Sequence, residues 1–418
     1  MIHRTVLDNG LRLVSQEVPN MPTVTVGVWV ESGSRDESRH HNGISHFLEH
    51  LFFKGTARRT AAQIAQEIDA VGGMLDAFTG KEHTCYYTRT LNEHLPLALD
   101  LLADILLHSS FPDEEIERER SVIGQEIAQS EDQPDELIGD LFHRDFWPDH
   151  PLSWPITGTL ESVSRLRRED LLGYRHDHYC PQRIVVSMAG GASHTTLLEA
   201  LGPVLSNLTG TAQARQDTPP VARPGVSIHP RGLEQTHLSL GVPCVSQTAP
   251  EWYAAHLLNS VLGGGISSRL FQEIREQRGL VYDVSSFLFS ARDAGYLGIY
   301  LSTSPALVPE AMRLTCRSLA EIAQSGISAN ELQRAKSQTT GSLLLELETS
   351  EAWMHRVARC EMCFQRDVPI AEVLADIERV SLEDVQAVAA ACFQPDKLAL
   401  TVLGEPPSMN DYQALIAL

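Results

Sequence analysis

Thr23-Val24-Thr25-Val26-Gly27-Val28-Trp29-Val30 alternates as a strand, and a helix begins near Asn42 that carries His46-Phe47-Leu48-Glu49-His50. The same order recurs in the other half of the chain, where Thr236 to Pro243 reads as a strand and a helix follows from about Glu251. Further on, Gly72 onward and Gly279 onward both read as strand hairpins rich in Tyr, Phe, Val and Thr. The offset stays near 210 residues, the mark of a duplicated unit. Asn207 to Pro224 is polar, proline-rich and without periodicity, and reads as a linker. Long amphipathic helices are expected over Ala61–Val71, Leu91–Leu107 and Asp113–Ser130, and again over Pro309–Gln324, Ser328–Leu347 and Ser381–Ala391. Strands and helices in separate runs predict an α+β fold. Two homologous domains are expected, each a mainly antiparallel sheet covered by helices on one side. They span residues 1–210 and 225–418, with a linker at 211–224. A chain of 418 residues is too long for one compact core, which supports the division.

The formal net charge of −21 argues against nucleic acid or an anionic membrane as the main partner; it is compatible with a basic or neutral peptide and is explained as well by a merely solvated acidic surface. Met1 to Asn20 has no apolar core of signal-peptide length and runs into a strand-turn-strand around Asn9-Gly10. No apolar run is long enough to span a bilayer. The cysteines (Cys85, Cys180, Cys244, Cys316, Cys360, Cys363 and Cys392) are odd in number and scattered, as expected of a cytoplasmic protein. Cys360 and Cys363 have CxxC spacing but no second pair, and read as incidental helical thiols.

On a helix, His46 and His50 share a face, with Glu49 one turn from His46. Neutral imidazoles at that spacing can share one Zn²⁺, and a neighbouring carboxylate can act on a water the metal activates. The bland alternative is a helix with two satisfied histidines and a surface glutamate. In the second half, His256 falls on the equivalent helix without a Glu or second His beside it. A catalytic zinc needs a third protein ligand. The helix from Asp113 offers Glu115, Glu119 and Glu126 within a narrow angular band, next to the apolar stripe of Ile116, Ile123 and Ile127. Carboxylates at the margin of a buried face need a partner. Metal is one; ion pairs with Arg118 or Arg120 are the other.

Residues Gly43-Ile44-Ser45-His46-Phe47-Leu48-Glu49-His50-Leu51-Phe52-Phe53-Lys54-Gly55-Thr56 resemble the metal-binding segment of the pitrilysin/insulinase zinc peptidases, in particular the processing-peptidase branch and its bacterial relatives. The resemblance implies a third metal ligand 76 residues beyond His50, at Glu126, and a supporting acidic residue at Glu119. It further implies that Gly73, Asp76, Ala77, Phe78 and Thr79 lie on a strand that pairs with substrate. Asp76 stands where many members have Asn, which loses a donor and puts one substrate contact in doubt. His150-Pro151-Leu152, Gly158-Thr159 and Tyr179-Cys180-Pro181 match further family segments. Arg275 and Tyr282, seven apart in Arg275-Glu276-Gln277-Arg278-Gly279-Leu280-Val281-Tyr282, match a pair that reaches toward bound peptide. Leu262-Gly263-Gly264-Gly265 follows a helix and lacks the P-loop Lys, so it reads as a tight turn.

The implied activity is that of a Zn²⁺-dependent endopeptidase with one ion per chain, Glu49 as base and Tyr282 beside the oxyanion. The family's chamber has four domains and this chain two, which implies a homodimer, or a heterodimer with a related subunit. The alternative is a non-catalytic peptide-binding or scaffold subunit. Such members typically lose site residues, and none is missing here.

Overall fold

A computed structural model describes residues 1–215, 217–405 and 412–416. Gln216 of the expected linker, and 406–411 and 417–418 of the expected second domain, lie outside the described residues.

The chain divides into two compact units. Unit 1 comprises Met1–Gln129, Trp154–Asp217 and Leu345–Pro369, and unit 2 comprises Ser130–Ser153, Thr218–Leu344 and Ile370–Leu418. Each unit thus takes one segment from the opposite half of the sequence.

Unit 1 is built on six strands: β1 (His3–Val6), β2 (Arg12–Glu17), β3 (Thr23–Val30), β4 (Met74–Thr79), β5 (Thr84–Leu91) and β6 (Ile184–Gly190). Their spatial order is β1-β2-β6-β3-β5-β4, antiparallel except for the β2–β6 pair. Unit 2 has β7 (Gly225–Pro230), β8 (Thr236–Cys244), β9 (Asp283–Ser290), β10 (Gly295–Thr303) and β11 (Ala399–Gly404). Their order is β7-β11-β8-β10-β9, again antiparallel except for one pair, β7–β11. The second sheet repeats the first strand for strand from β2 onward. The duplication read from spacing is therefore a duplication of topology.

One face of the unit 1 sheet carries the larger core. Against it pack α1 (Ile44–Phe52), α2 (Ala61–Asp69), α3 (Leu95–His108) and α4 (Asp113–Asp132) through Phe47, Leu51, Ile64, Leu102, Ile116 and Ile123. The opposite face is not bare. The helix Ser350–Arg359, from the sequence's second half, lays Met354, Val357 and Ala358 against Val14, Trp29, Cys85 and Val185. In unit 2, α5 (Pro134–Phe146) from the first half does the same, with Phe142 and Phe146 on Tyr296 and Ala399. An amphipathic helix shows which of its faces is apolar, but not which sheet will cover it.

Helix bounds fall within four residues of the expected ones, as fraying ends and caps allow. The glycine segment after the helix Trp252–Leu262 is a turn leading into a π-helical stretch, Phe271–Glu276. His256 rests against the Trp252 ring, 3.8 Å between centroids. Cys360 and Cys363 are free, and burial raises both thiols above their ordinary range, away from the reactive thiolate.

Candidate metal centre and active site

The helix α1 exists because Ile44, Phe47, Leu48, Leu51 and Phe52 recur at helical spacing and are all fully buried. Each contributes about 1.5–3 kcal/mol. Gly43 precedes α1 with φ +95°, and a Cβ there would lie 2.7 Å from Thr157 O. Only glycine fits. The first turn's free N–H groups are taken by Glu37, whose buried carboxylate accepts from Gly43 N (2.8 Å), Ser45 N (2.9 Å) and Asn42 Nδ2 (2.9 Å). Ser109 Oγ donates to Phe52 O (3.0 Å) and fixes the helix's far end.

This rigid helix presents His46, Glu49 and His50 toward α4. Glu126 Oε2 lies 3.8 Å from His46 Nε2 and 3.6 Å from His50 Nε2. Neither is a hydrogen bond at that length. The three ligand atoms lie within 4.8 Å of one another. Ligands about 2.0–2.1 Å from one tetrahedral ion sit roughly 3.3 Å apart, so a zinc-sized cation fits between these atoms. Burial, and then the neighbouring His50, push His46 down to about 4. The neutral imidazole that coordination needs is thus the ordinary state. By donor type, spacing and protonation, these residues fit Zn²⁺.

Glu119 and Glu126, two helical turns apart on α4, do different things. Glu119 is buried; its Oε2 is 3.0 Å from His50 Nδ1 and its Oε1 is 2.8 Å from Lys54 Nζ. An acceptor at Nδ1 puts the proton there and turns the Nε2 lone pair toward Glu126. His46 Nδ1, by contrast, is buried with no hydrogen-bond partner. Glu115 took the other course open to this stripe and pairs with Arg118, while Arg120 pairs with Glu117.

Glu49 stays outside the three-ligand cluster. Its Oε2 accepts from Thr79 Oγ1 at 2.5 Å, which ties α1 to the end of β4. Burial raises its carboxyl above the ordinary range. The Thr79 bond and His50 oppose the rise, and the Asp76 and Glu126 carboxylates add to it.

The strand β4 is the last of its sheet, with β5 on one side and no strand on the other among the described residues. Asp76, Ala77, Phe78 and Thr79 lie on it, and Gly73 immediately precedes it. Arg275 and Tyr282 belong to unit 2. The Arg275 guanidinium covers the Phe271 ring at 4.8 Å, and Tyr282 is 74% exposed.

Two residues escaped the sequence reading. Lys54 lay inside the quoted motif, four after His50, a spacing that marks it as a neighbour on α1's flank. Glu37 left no local signal, because it caps α1 from six residues before Gly43.

Residues 12–160 match the family model described as insulinase (peptidase family M16), and residues 165–339 match that of the peptidase M16 inactive domain. An uncharacterized zinc protease of Mycobacterium leprae is 41% identical over 391 residues, covering 92% of this chain and 88% of its own. The uncharacterized zinc protease YmxG of Bacillus subtilis is 37% identical over 402 residues, covering 95% and 97%. Among solved structures, a peptidase M16 inactive domain from Pseudomonas fluorescens superposes with a TM-score of 0.91 at 19% identity, covering 98% of this chain and 100% of that one. A protease from Helicobacter pylori gives 0.89 at 21%, covering 97% and 99%. At such identities these two speak for the fold. With the two family models and the close relatives together, the chain belongs to the insulinase-type peptidases of family M16.

Proposed function

We propose that this protein is a zinc-dependent endopeptidase that cuts extended or unfolded peptides. The observation that carries the reading is the His46, His50 and Glu126 cluster with a separate half-buried carboxylate, Glu49, beside it. His46, His50 and Glu126 would hold one zinc ion per chain, which would supply Lewis acidity. Glu49 accepts a proton from the attacking water and returns it to the leaving amine. Its raised affinity for a proton suits the second half of that task, and Thr79 holds it in place. Glu119 orients His50.

Substrate adds to the outer edge of β4, along Gly73 to Thr79, through main-chain hydrogen bonds. Arg275 and Tyr282 then serve as peptide and oxyanion contacts supplied by unit 2 of a second copy, so that a homodimer encloses the chamber. Seven free thiols support a reducing, cytoplasmic setting, and no described helix is long and apolar enough to cross a membrane. The relatives' name, zinc protease, supports the activity.

The test is a mixed peptide library incubated with the purified chain, with chelator, and with zinc restored. Mass spectrometry should find internal cleavages that vanish with chelator and return with zinc. Cleavage indifferent to chelator, or none by zinc-loaded protein, contradicts the reading.

A further inference from the structure

The outer edge of β4 already has an occupant. The hairpin joining β4 to β5 closes with Gly80 N–H donating to His83 O at 2.8 Å. Bonded and non-bonded pairs alternate back from that point along the register Thr79↔Thr84 to Met74↔Arg89. The main-chain groups of Met74, Asp76 and Phe78 therefore face β5. Those of Leu75, Ala77 and Thr79 face outward. Ala77 N–H, the middle outward donor, is bonded to Asp76 Oδ1 at 2.8 Å. The exposed Asp76 carboxylate thus lies over the edge where an added strand would bond.

From this arrangement we infer that Asp76 selects peptides bringing a cationic group, a Lys or Arg side chain or an N-terminal ammonium, alongside Ala77. The inference rests on strand addition at β4 in the proposed function. An incoming peptide carbonyl must take Ala77 N–H from Asp76. The displaced carboxylate then needs a new donor. A neutral peptide offers the exposed carboxylate only water in exchange. A cation gives it a charge-assisted partner. Discrimination therefore comes from both a gained pair and an avoided loss. An asparagine in the same place would accept the Ala77 N–H equally well but would not distinguish the two peptides.

The test uses zinc-loaded full-length Glu49→Gln, which holds peptide without cutting it, beside Glu49→Gln/Asp76→Asn. The probe is a fluorescein-labelled neutral peptide, with a single Lys moved along it, each version with a free or acetylated N-terminus. Anisotropy should show one Lys register, or the free N-terminus alone, binding Glu49→Gln about five- to tenfold tighter than the neutral peptide, the two arms identifying the source of the cation. In the double variant that ratio should fall to within about twofold, and in Glu49→Gln it should shrink as salt is raised. A ratio unchanged by Asp76→Asn, or absent from both proteins, overturns the inference. Cleavage by the wild type is scored separately. Zinc-dependent cutting without any Asp76-dependent ratio sinks this inference alone. No cutting with the ratio intact sinks the peptidase reading and leaves the peptide contact standing.

Discussion

At the scale of single residues, the three-member chain Lys54–Glu119–His50 distinguishes a metal site from two histidines near a glutamate. Helical spacing alone placed Glu119 and Glu126 on one face without separating them; the family resemblance implied their separate roles, and what faces them across the helix pair supplies the physical reason. Glu126 meets both Nε2 atoms, while Glu119 is buried against Nδ1 of one ring. Glu119→Ala should weaken zinc binding about 10- to 100-fold in a competition titration with a chromophoric chelator. Lys54→Met should weaken it in the same direction, because Glu119 would lose the cation that anchors its second oxygen, and Lys54→Arg should restore it. An unchanged zinc affinity in Glu119→Ala would mean that His50 is held by packing alone.

At the scale of elements, α1 depends on a glycine and a remote carboxylate. Gly43→Ala forces a Cβ onto Thr157 O at positive φ and should cost about 2 kcal/mol or more in a urea titration. Glu37 has an ordinary value of 4.5 and is pushed up to about 7 by burial, against the donors it accepts from. Between those values the folded chain holds a proton that the unfolded chain has released. Stability should therefore fall as pH rises from about 4.5 to 7, by at most about 1.4 kcal/mol per pH unit. Glu37→Gln removes this titration, so its Tm should change less with pH across that window than the wild type's. Equal slopes would show that the caps keep Glu37 ionised throughout. Periodicity made most helices and the paired strands legible to within a few residues. The seating of α5 and of Ser350–Arg359 on sheets from the opposite half was not legible. Their apolar faces, Phe142 with Phe146 and Met354 with Val357, would pack as well on any sheet of complementary shape.

At the scale of the whole molecule, one topology appears twice, and among the described residues the three-ligand cluster lies in its first copy. The second copy keeps the equivalent helix but turns His256 against Trp252. Its proposed task is to present Arg275 and Tyr282 to a partner's zinc site. Mixing Glu49→Gln chains with Arg275→Ala chains, each inactive alone, should restore about a quarter to a half of wild-type turnover, since mixed dimers keep one complete site. No recovery after verified subunit exchange would place the pair on the same chain as its site. The central claim is that Glu49 does the proton chemistry while His46, His50 and Glu126 hold the metal. Its most direct test is turnover of one quenched-fluorescent peptide by Glu49→Gln, with bound zinc counted by elemental analysis on the same sample. The account predicts one zinc per chain and turnover reduced about 10²- to 10⁴-fold; turnover near the wild-type rate with zinc in place would contradict it.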